Sequence, residues 1–253
     1  MIAVPATETA QRTAEALTLP VVELFGPTIQ GEGPDIGMPA YFIRFGGCDY
    51  RCAWCDSMHA VEPAAVRANA ERLTVEQILH RLGQLPGGPE LVVLSGGNPA
   101  LLELGKLVFA LQSIGKRVAV ETQGSRWQDW LAQVDRLVIS PKPPSSNMAG
   151  AKEMTELREF IRHVTPHTQP AMKIVVFDQA DLDWAVERHV EHPELPLFLS
   201  AGTDVGLSED ATLNRLRDRF RWLCEAVVSR SELRTARVLP QLHVIAWGTA
   251  KGV

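Results

Sequence analysis

From Val21 onward the chain alternates short β-branched runs with longer stretches of helical apolar spacing. That alternation predicts an α/β fold in which crossover helices join parallel strands. The expected strands are residues 21–25, 40–45, 91–95, 118–122, 137–140, 173–177, 197–201 and 238–245. Two of them, LVVLS at 91–95 and KIVVF at 173–177, are nearly unbroken apolar runs, as strands covered on both faces should be. Helices are expected over 101–113, 153–164, 180–190 and 210–228. Thr74 with Gln77 gives a capping-box signal ahead of Ile78, Leu79 and Leu82. Residues 1–19, rich in Ala, Thr and Glu and without a strand period, read as a frayed extension, which leaves 20–253 as one domain.

A β/α series of this length implies a full or partial barrel, with functional groups at the carboxyl ends of the strands. Ser95-Gly96-Gly97, Glu121-Thr122 and Ser140-Pro141-Lys142 all fall at such ends, which points to one shared site. The 253 residues, 45% hydrophobic and 22% charged, are enough for a single core enclosing a cofactor and a substrate. A net charge of −5 recommends no face for nucleic acid or an anionic membrane, so a small-molecule substrate is expected. No apolar run reaches membrane-spanning length and no secretory leader is evident at the start, which makes the cytoplasm the expected location.

The four cysteines change the picture, because three of them lie within eight residues. A disulfide framework spreads its cysteines to close long loops, whereas clustering argues for metal in a reducing compartment. The segment runs Phe45-Gly46-Gly47-Cys48-Asp49-Tyr50-Arg51-Cys52-Ala53-Trp54-Cys55-Asp56, a C-x3-C-x2-C spacing directly after a strand. Three thiolates so close reach three corners of a 4Fe–4S cubane and leave one iron open. An open iron suits S-adenosylmethionine (SAM), whose amino and carboxylate groups chelate it before an electron breaks the sulfonium bond. Zinc is the plainer alternative; it wants four ligands, with His59 or Cys224 as the fourth. An electron-transfer cluster is another. Cys224, within FRWLCEAVV, reads as a core thiol. Trp54 suits shielding of the cluster, contact with adenine, or plain packing.

Other motifs are weaker alone. The glycines of Ser95-Gly96-Gly97-Asn98-Pro99 allow close backbone approach to a methionine, or make an ordinary turn. Ile29-Gln30-Gly31-Glu32-Gly33 offers an amide and a carboxylate for reading a heterocycle, or a polar turn. Arg44 faces the other way from Ile43 and Phe45 and suits a bidentate grip on a carboxylate, or a surface ion pair. The stiff stretch 140–146 sits at a strand end, and His243, in LPQLHVIAW, reads as a strand histidine.

Taken together, GPTIQGEG, GGCDYRCAWCDS, SGGNPALL, ETQGS, ISPKPPSS and VLPQLHVIAWGTAKGV resemble the 7-carboxy-7-deazaguanine synthases, a radical SAM family, from about Val21 to Val253. The resemblance implies a modified, incomplete (β/α) barrel and a homodimer. It implies conversion of 6-carboxy-5,6,7,8-tetrahydropterin to 7-carboxy-7-deazaguanine with loss of ammonia, in the route to queuosine and other 7-deazapurines. SAM is then used catalytically, Mg2+ promotes turnover, and a protein such as flavodoxin or ferredoxin supplies electrons. On matching positions, Cys48, Cys52 and Cys55 would hold the cluster and Ser57 would give Mg2+ an oxygen. Trp54, Asp56, Gly97, Glu121, Ser140, Pro141 and Lys142 would contact SAM. Ile29, Gln30, Gly31, Arg44, Ser95, His243 and the terminal Val253 would line the pterin pocket. Two positions depart from the commoner pattern: Asn98 stands where radical SAM proteins usually carry Glu, and Ser57 where many family members have Thr.

Overall fold

The computed structural model describes residues 17–248 together with Ala250 and Gly252. The expected extension before Leu17, and Val253, lie outside the described residues. Leu19 already belongs to the first strand and is 2% exposed, so the domain takes in the last residue assigned to the extension.

The strands are β1 Leu19–Ile29, β2 Pro39–Phe45, β3 Glu71–Leu73, β4 Leu91–Gly96, β5 Arg117–Thr122, β6 Arg136–Ile139, β7 Ala171–Val176, β8 Leu197–Ala201 and β9 Arg237–Leu239. They form one nine-stranded sheet in the order β3-β1-β2-β4-β5-β6-β7-β8-β9. β1 pairs antiparallel with β2 and β3, while neighbours from β2 across to β9 run parallel. β3 and β9 remain edges, so the expected incomplete barrel is an open, mostly parallel sheet. The helices are α1 Met58–Val61, α2 Pro63–Asn69, α3 Val75–Gln84, α4 Gly105–Ser113, α5 Ala151–Arg162, α6 Gln179–Glu191, α7 Glu209–Val228 and α8 Leu242–Trp247. α3 begins with the expected capping box, Thr74 and Gln77 each bonding the other's backbone N–H.

Period-two alternation sorts the side chains. On β4, Val92 and Leu94 join the large core beneath the helices, while Leu91 and Val93 meet Ala40 and Ala119 in a small inner cluster. That cluster closes the amino-terminal end of the inner face. Two positions further along each strand, the same face carries polar groups: Arg44 after Phe42, Ser95 after Val93, and Glu121 after Ala119. On β7, Met172, Ile174 and Val176 face the helices, and Lys173 with Val175 face inward. The chamber is therefore apolar at its floor and polar at its mouth.

Several elements differ from expectation. The strand expected at 238–245 ends at Leu239, and helix α8 follows. Pro240 lacks the N–H needed to extend the ladder. Beyond it, Val244 is buried while Ile245 and Trp247 are exposed, a helical rather than alternating pattern. The helix expected from residue 101 starts at Gly105, because Asn98 accepts the Ala100 N–H and starts a separate short turn. β1 continues past Phe25 to Ile29 through a register shift around Gly26-Pro27, which the strand pattern did not reveal. The short β3, α1 and α2 were not expected either.

Leu94 is fully buried on a central strand. Leu94→Ala is expected to cost about 2–5 kcal/mol in denaturant unfolding, through lost transfer energy and the cavity left behind.

Candidate active site

A cavity of about 530 Å³ opens at the carboxyl ends of the strands. The cysteine loop forms one side. It leaves β2 at Phe45 and is stitched to the loop after β4 by backbone bonds: Gly97 N–H to Phe45 O at 3.0 Å and Asn98 N–H to Gly47 O at 2.7 Å. Only glycine fits there. A Cβ on Gly96, whose φ is +132°, would stand 2.1 Å from Phe45 O, and one on Gly97 would stand 2.0 Å from Gly47 O.

Asn98 completes the join. It is 1% exposed, its amide donates to Asp49 Oδ1 and Ser125 Oγ at 3.0 Å each, and its carbonyl accepts the Thr122 hydroxyl at 2.8 Å. The residue that departs from the commoner Glu is thus an internal tie holding the cysteine loop. Gln123 Nε2 also donates to Asp49, and lies 3.6 Å from Cys48 Sγ. On the other flank, Ala53 N–H donates to Ser146 O at 3.0 Å and Trp54 Nε1 to Ser145 Oγ at 2.9 Å. Ser145 in turn donates to buried Asp181, through Oγ at 2.6 Å and N–H at 2.9 Å. Trp54 packs 5.2 Å from the Phe177 ring, so anchoring the loop is among its contacts.

Cys48, Cys52 and Cys55 are half-buried free thiols lining the same cavity. Burial raises all three above the ordinary thiol range, Cys55 to about 11, and nearby Asp56 and the other thiols reinforce this at Cys52 and Cys55. Lys142 opposes it at Cys48 and Cys52. A cationic metal centre binding these sulfurs would displace the thiol protons that burial retains. Among the described residues, no three His, Cys, Asp or Glu side chains converge as a site for a single metal ion. Three free thiols on one loop facing one cavity are the kind of donor that an iron–sulfur cluster takes. His59 Nε2 stands 3.3 Å from Glu23, and Cys224 sits on α7 away from the cavity, half-buried rather than in the core.

Arg44 links two parts of the wall. Its Nε donates to Glu23 at 2.6 Å and its Nη1 to Ser57 Oγ at 3.0 Å, while Ser57 Oγ donates to Asp56 Oδ1 at 2.8 Å. Burial opposes ionisation of Glu23, but the Arg44 charge and hydrogen bond outweigh it and hold the carboxyl below its usual range. Arg44 is thus both ion-paired and part of the cavity.

The opposite wall is a chain of buried polar groups. Lys173 Nζ, 6% exposed, bridges Glu32 and Glu121, the latter at 3.2 Å. Gln30 Nε2 donates to Glu121 Oε1 at 2.9 Å, and Gln241 Nε2 to Glu32 Oε1 at 2.5 Å. The Thr203 hydroxyl donates to Gln241. Burial again opposes charge on Glu32, yet Lys173 and then His243 pull its pKa down to about 2. His243 lies so close to Gly31 that a Cβ there would meet Nδ1 at 2.2 Å. It is on helix α8, not in a strand.

The cavity thus brings together Cys48, Cys52, Cys55, Trp54, Asp56 and Ser57 with Gly97, Ser140 and Lys142, the last donating to Ser140 Oγ at 3.0 Å. Ile29, Gln30, Gly31, Arg44, Ser95, Glu121 and His243 line it as well. Pro141, between Ser140 and Lys142, is buried without lining it. Glu121, expected beside SAM, turns its carboxylate to Gln30 and Lys173. Ala250 and Gly252 bring the described tail to the cavity; Val253 lies outside the described residues. Motif reading missed Glu23, Asn98 as a tie, Gln123, Lys173 and Gln241. A charged residue leading the apolar run KIVVF was the one available signal for Lys173.

Comparison with known proteins follows the same lines. The Radical SAM superfamily model matches residues 42–165. A 7-carboxy-7-deazaguanine synthase of Bacillus cereus is 44% identical over 240 residues, covering 93% of this chain and 99% of that protein. One of Bacillus subtilis is 39% identical over 240 residues, covering 93% and 98%. The crystal structure of QueE from Escherichia coli shares the fold, with a TM-score of 0.65 at 22% identity over 89% of this chain and 95% of that one. Identity of this order over nearly the whole length of both chains shows that the protein belongs to the 7-carboxy-7-deazaguanine synthase family, radical SAM lyases of 7-deazapurine biosynthesis that work with a 4Fe–4S cluster and SAM.

Proposed function

We infer that the protein converts 6-carboxy-5,6,7,8-tetrahydropterin to 7-carboxy-7-deazaguanine with release of ammonia, in the route to queuosine. One observation carries this reading: a single chamber has a three-thiol loop on one side and a hydrogen-bonding wall suited to a nitrogen heterocycle on the other. Cys48, Cys52 and Cys55 hold the cluster. With SAM bound there, it would supply the hydrogen-abstracting radical chemistry.

The chain's own groups bind, orient and exclude water. The glycine-only join at Gly97 brings backbone donors and acceptors to the methionine part of SAM, with Trp54, Asp56, Ser140 and Lys142 around the remainder. Arg44 takes the substrate carboxylate, and its tie to Glu23 fixes the guanidinium before binding. Ser57 Oγ would give Mg2+ one hard oxygen ligand, which suits an ion that keeps few protein contacts. Gln30, Gly31, Ser95 and His243 line the heterocycle. A homodimer, reduction by flavodoxin or ferredoxin, and a cytoplasmic location complete the proposal. No helix among the described residues is long and apolar enough to cross a membrane.

The direct test is anaerobic incubation of reconstituted enzyme with carboxytetrahydropterin, SAM and dithionite. Appearance of the deazaguanine ultraviolet spectrum supports the reading, and SAM cleavage without that product refutes it. Cys52→Ala is expected to lose the visible iron–sulfur absorption together with all turnover; a variant that keeps both removes Cys52 from the ligand set. Ser57→Ala is expected to keep the iron–sulfur absorption and lose stimulation by Mg2+ in rate titrations, and an unchanged titration would assign the ion elsewhere.

A further inference from the structure

The wall opposite the cysteines contains a feature that substrate binding alone does not explain. Glu32 follows β1, Glu121 is the penultimate residue of β5 and Lys173 lies on β7, so three separate elements deliver one ammonium and two carboxylates to the same point. Their side chains are 12%, 19% and 6% exposed, respectively. Lys173 spends donors on both carboxylates. Each carboxylate oxygen named here has one protein partner: Lys173 and Gln241 for Glu32, Lys173 and Gln30 for Glu121. An ionised carboxylate has about four lone-pair sites, so each retains acceptor capacity. The neighbouring amides each direct one N–H at these carboxylates, Gln30 Nε2 at Glu121 and Gln241 Nε2 at Glu32. The open lone pairs of both carboxylates are left for a ligand's donors.

We propose that Lys173 is a specificity-determining positioning residue, which by bridging Glu32 and Glu121 keeps both carboxylates as acceptors for the adjacent N–H donors of a 2-amino-pyrimidinone ring. This deepens the proposed function and rests on it. Two buried carboxylates this close, without the ammonium, share a proton, and a protonated carboxyl presents a donor where an acceptor is required. Lys173 prevents that. The 2-amino-pyrimidinone half is common to the pterin and to the deazaguanine, so a rigid triad anchored on three elements holds the unreacting half while bonds change on the other. Rigidity here is part of the chemistry, because displacement by an ångström costs catalytic alignment.

The test measures affinity without turnover, in cluster-loaded enzyme with SAM and no reductant. Two probes are compared: 6-carboxytetrahydropterin and its counterpart with a 2-oxo group in place of the 2-amine. Wild type is expected to prefer the amino form. Lys173→Met is expected to lower pterin affinity by about tenfold or more and to erase most of that preference, since a buried polar wall discriminates through its unpaired groups. Its visible cluster absorption and its SAM affinity stay within about twofold of wild type, as expected for a site that does not share those partners. Lys173→Arg, which keeps the charge, is expected to retain the preference. A Lys173→Met protein that still prefers the amino form overturns the proposal, as does one that loses SAM and pterin affinity in parallel, which marks a merely structural lysine. Failure of the assigned reaction is read separately: wild type that binds the pterin but forms no deazaguanine refutes the reaction, while the affinity ratios still decide the role of Lys173.

Discussion

Where β2 and β4 end side by side, two loops meet backbone against backbone, and nothing larger than hydrogen fits between them. Gly96 and Gly97 abut Phe45 and Gly47 at distances that leave no room for a Cβ. This contact decides where the three cysteines stand relative to the sheet, and so where the reacting end of the chamber lies. Asn98 and Asp49 reinforce it from one flank, and the Trp54–Ser145–Asp181 chain from the other. Each tie ends on one fully buried side chain, Asn98 or Asp181, where an unmade hydrogen bond is costly, and this favours one loop conformation over many.

The chamber has two characters facing one another. On the cysteine side, burial retains the thiol protons, which a metal cluster would displace. On the far side, Lys173 bridges Glu32 and Glu121, and with His243 it holds the Glu32 carboxyl below its usual range in spite of burial. Arg44, held by Glu23 and bonded to Ser57, lines the same chamber. A carboxylated heterocycle has groups for all three surfaces: an anion for Arg44, N–H donors for the carboxylates, and a carbon facing the cluster.

Much of this was legible in the sequence because it is local. The cysteine spacing, the glycines after β4 and the strand-end polar pairs are each contained in a few consecutive residues, and the chamber assembles them. The capping box of Thr74 and Gln77 is local in the same way. What escaped was long-range or conditional. Lys173 meets Glu32 across 141 positions, a pairing that no window of sequence displays. The segment around His243 has an apolar run that suits a strand, yet Pro240 ends the ladder and tertiary packing of Val244 selects a helix. Asn98 read as a departure from a ligand-binding pattern, and its role as a tie is visible only once Asp49, Thr122 and Ser125 surround it.

In the proposed function, one chamber seats SAM on the cysteine side and the heterocycle against the opposite wall. An anaerobic crystal structure with cluster, SAM and 6-carboxytetrahydropterin tests it most directly. The account requires the pterin ring edge within hydrogen-bonding reach of Glu32 and Glu121, its carboxylate at Arg44, and the SAM methionine beside Gly97. A pterin bound outside this chamber, or a cluster ligated by residues other than Cys48, Cys52 and Cys55, would contradict it.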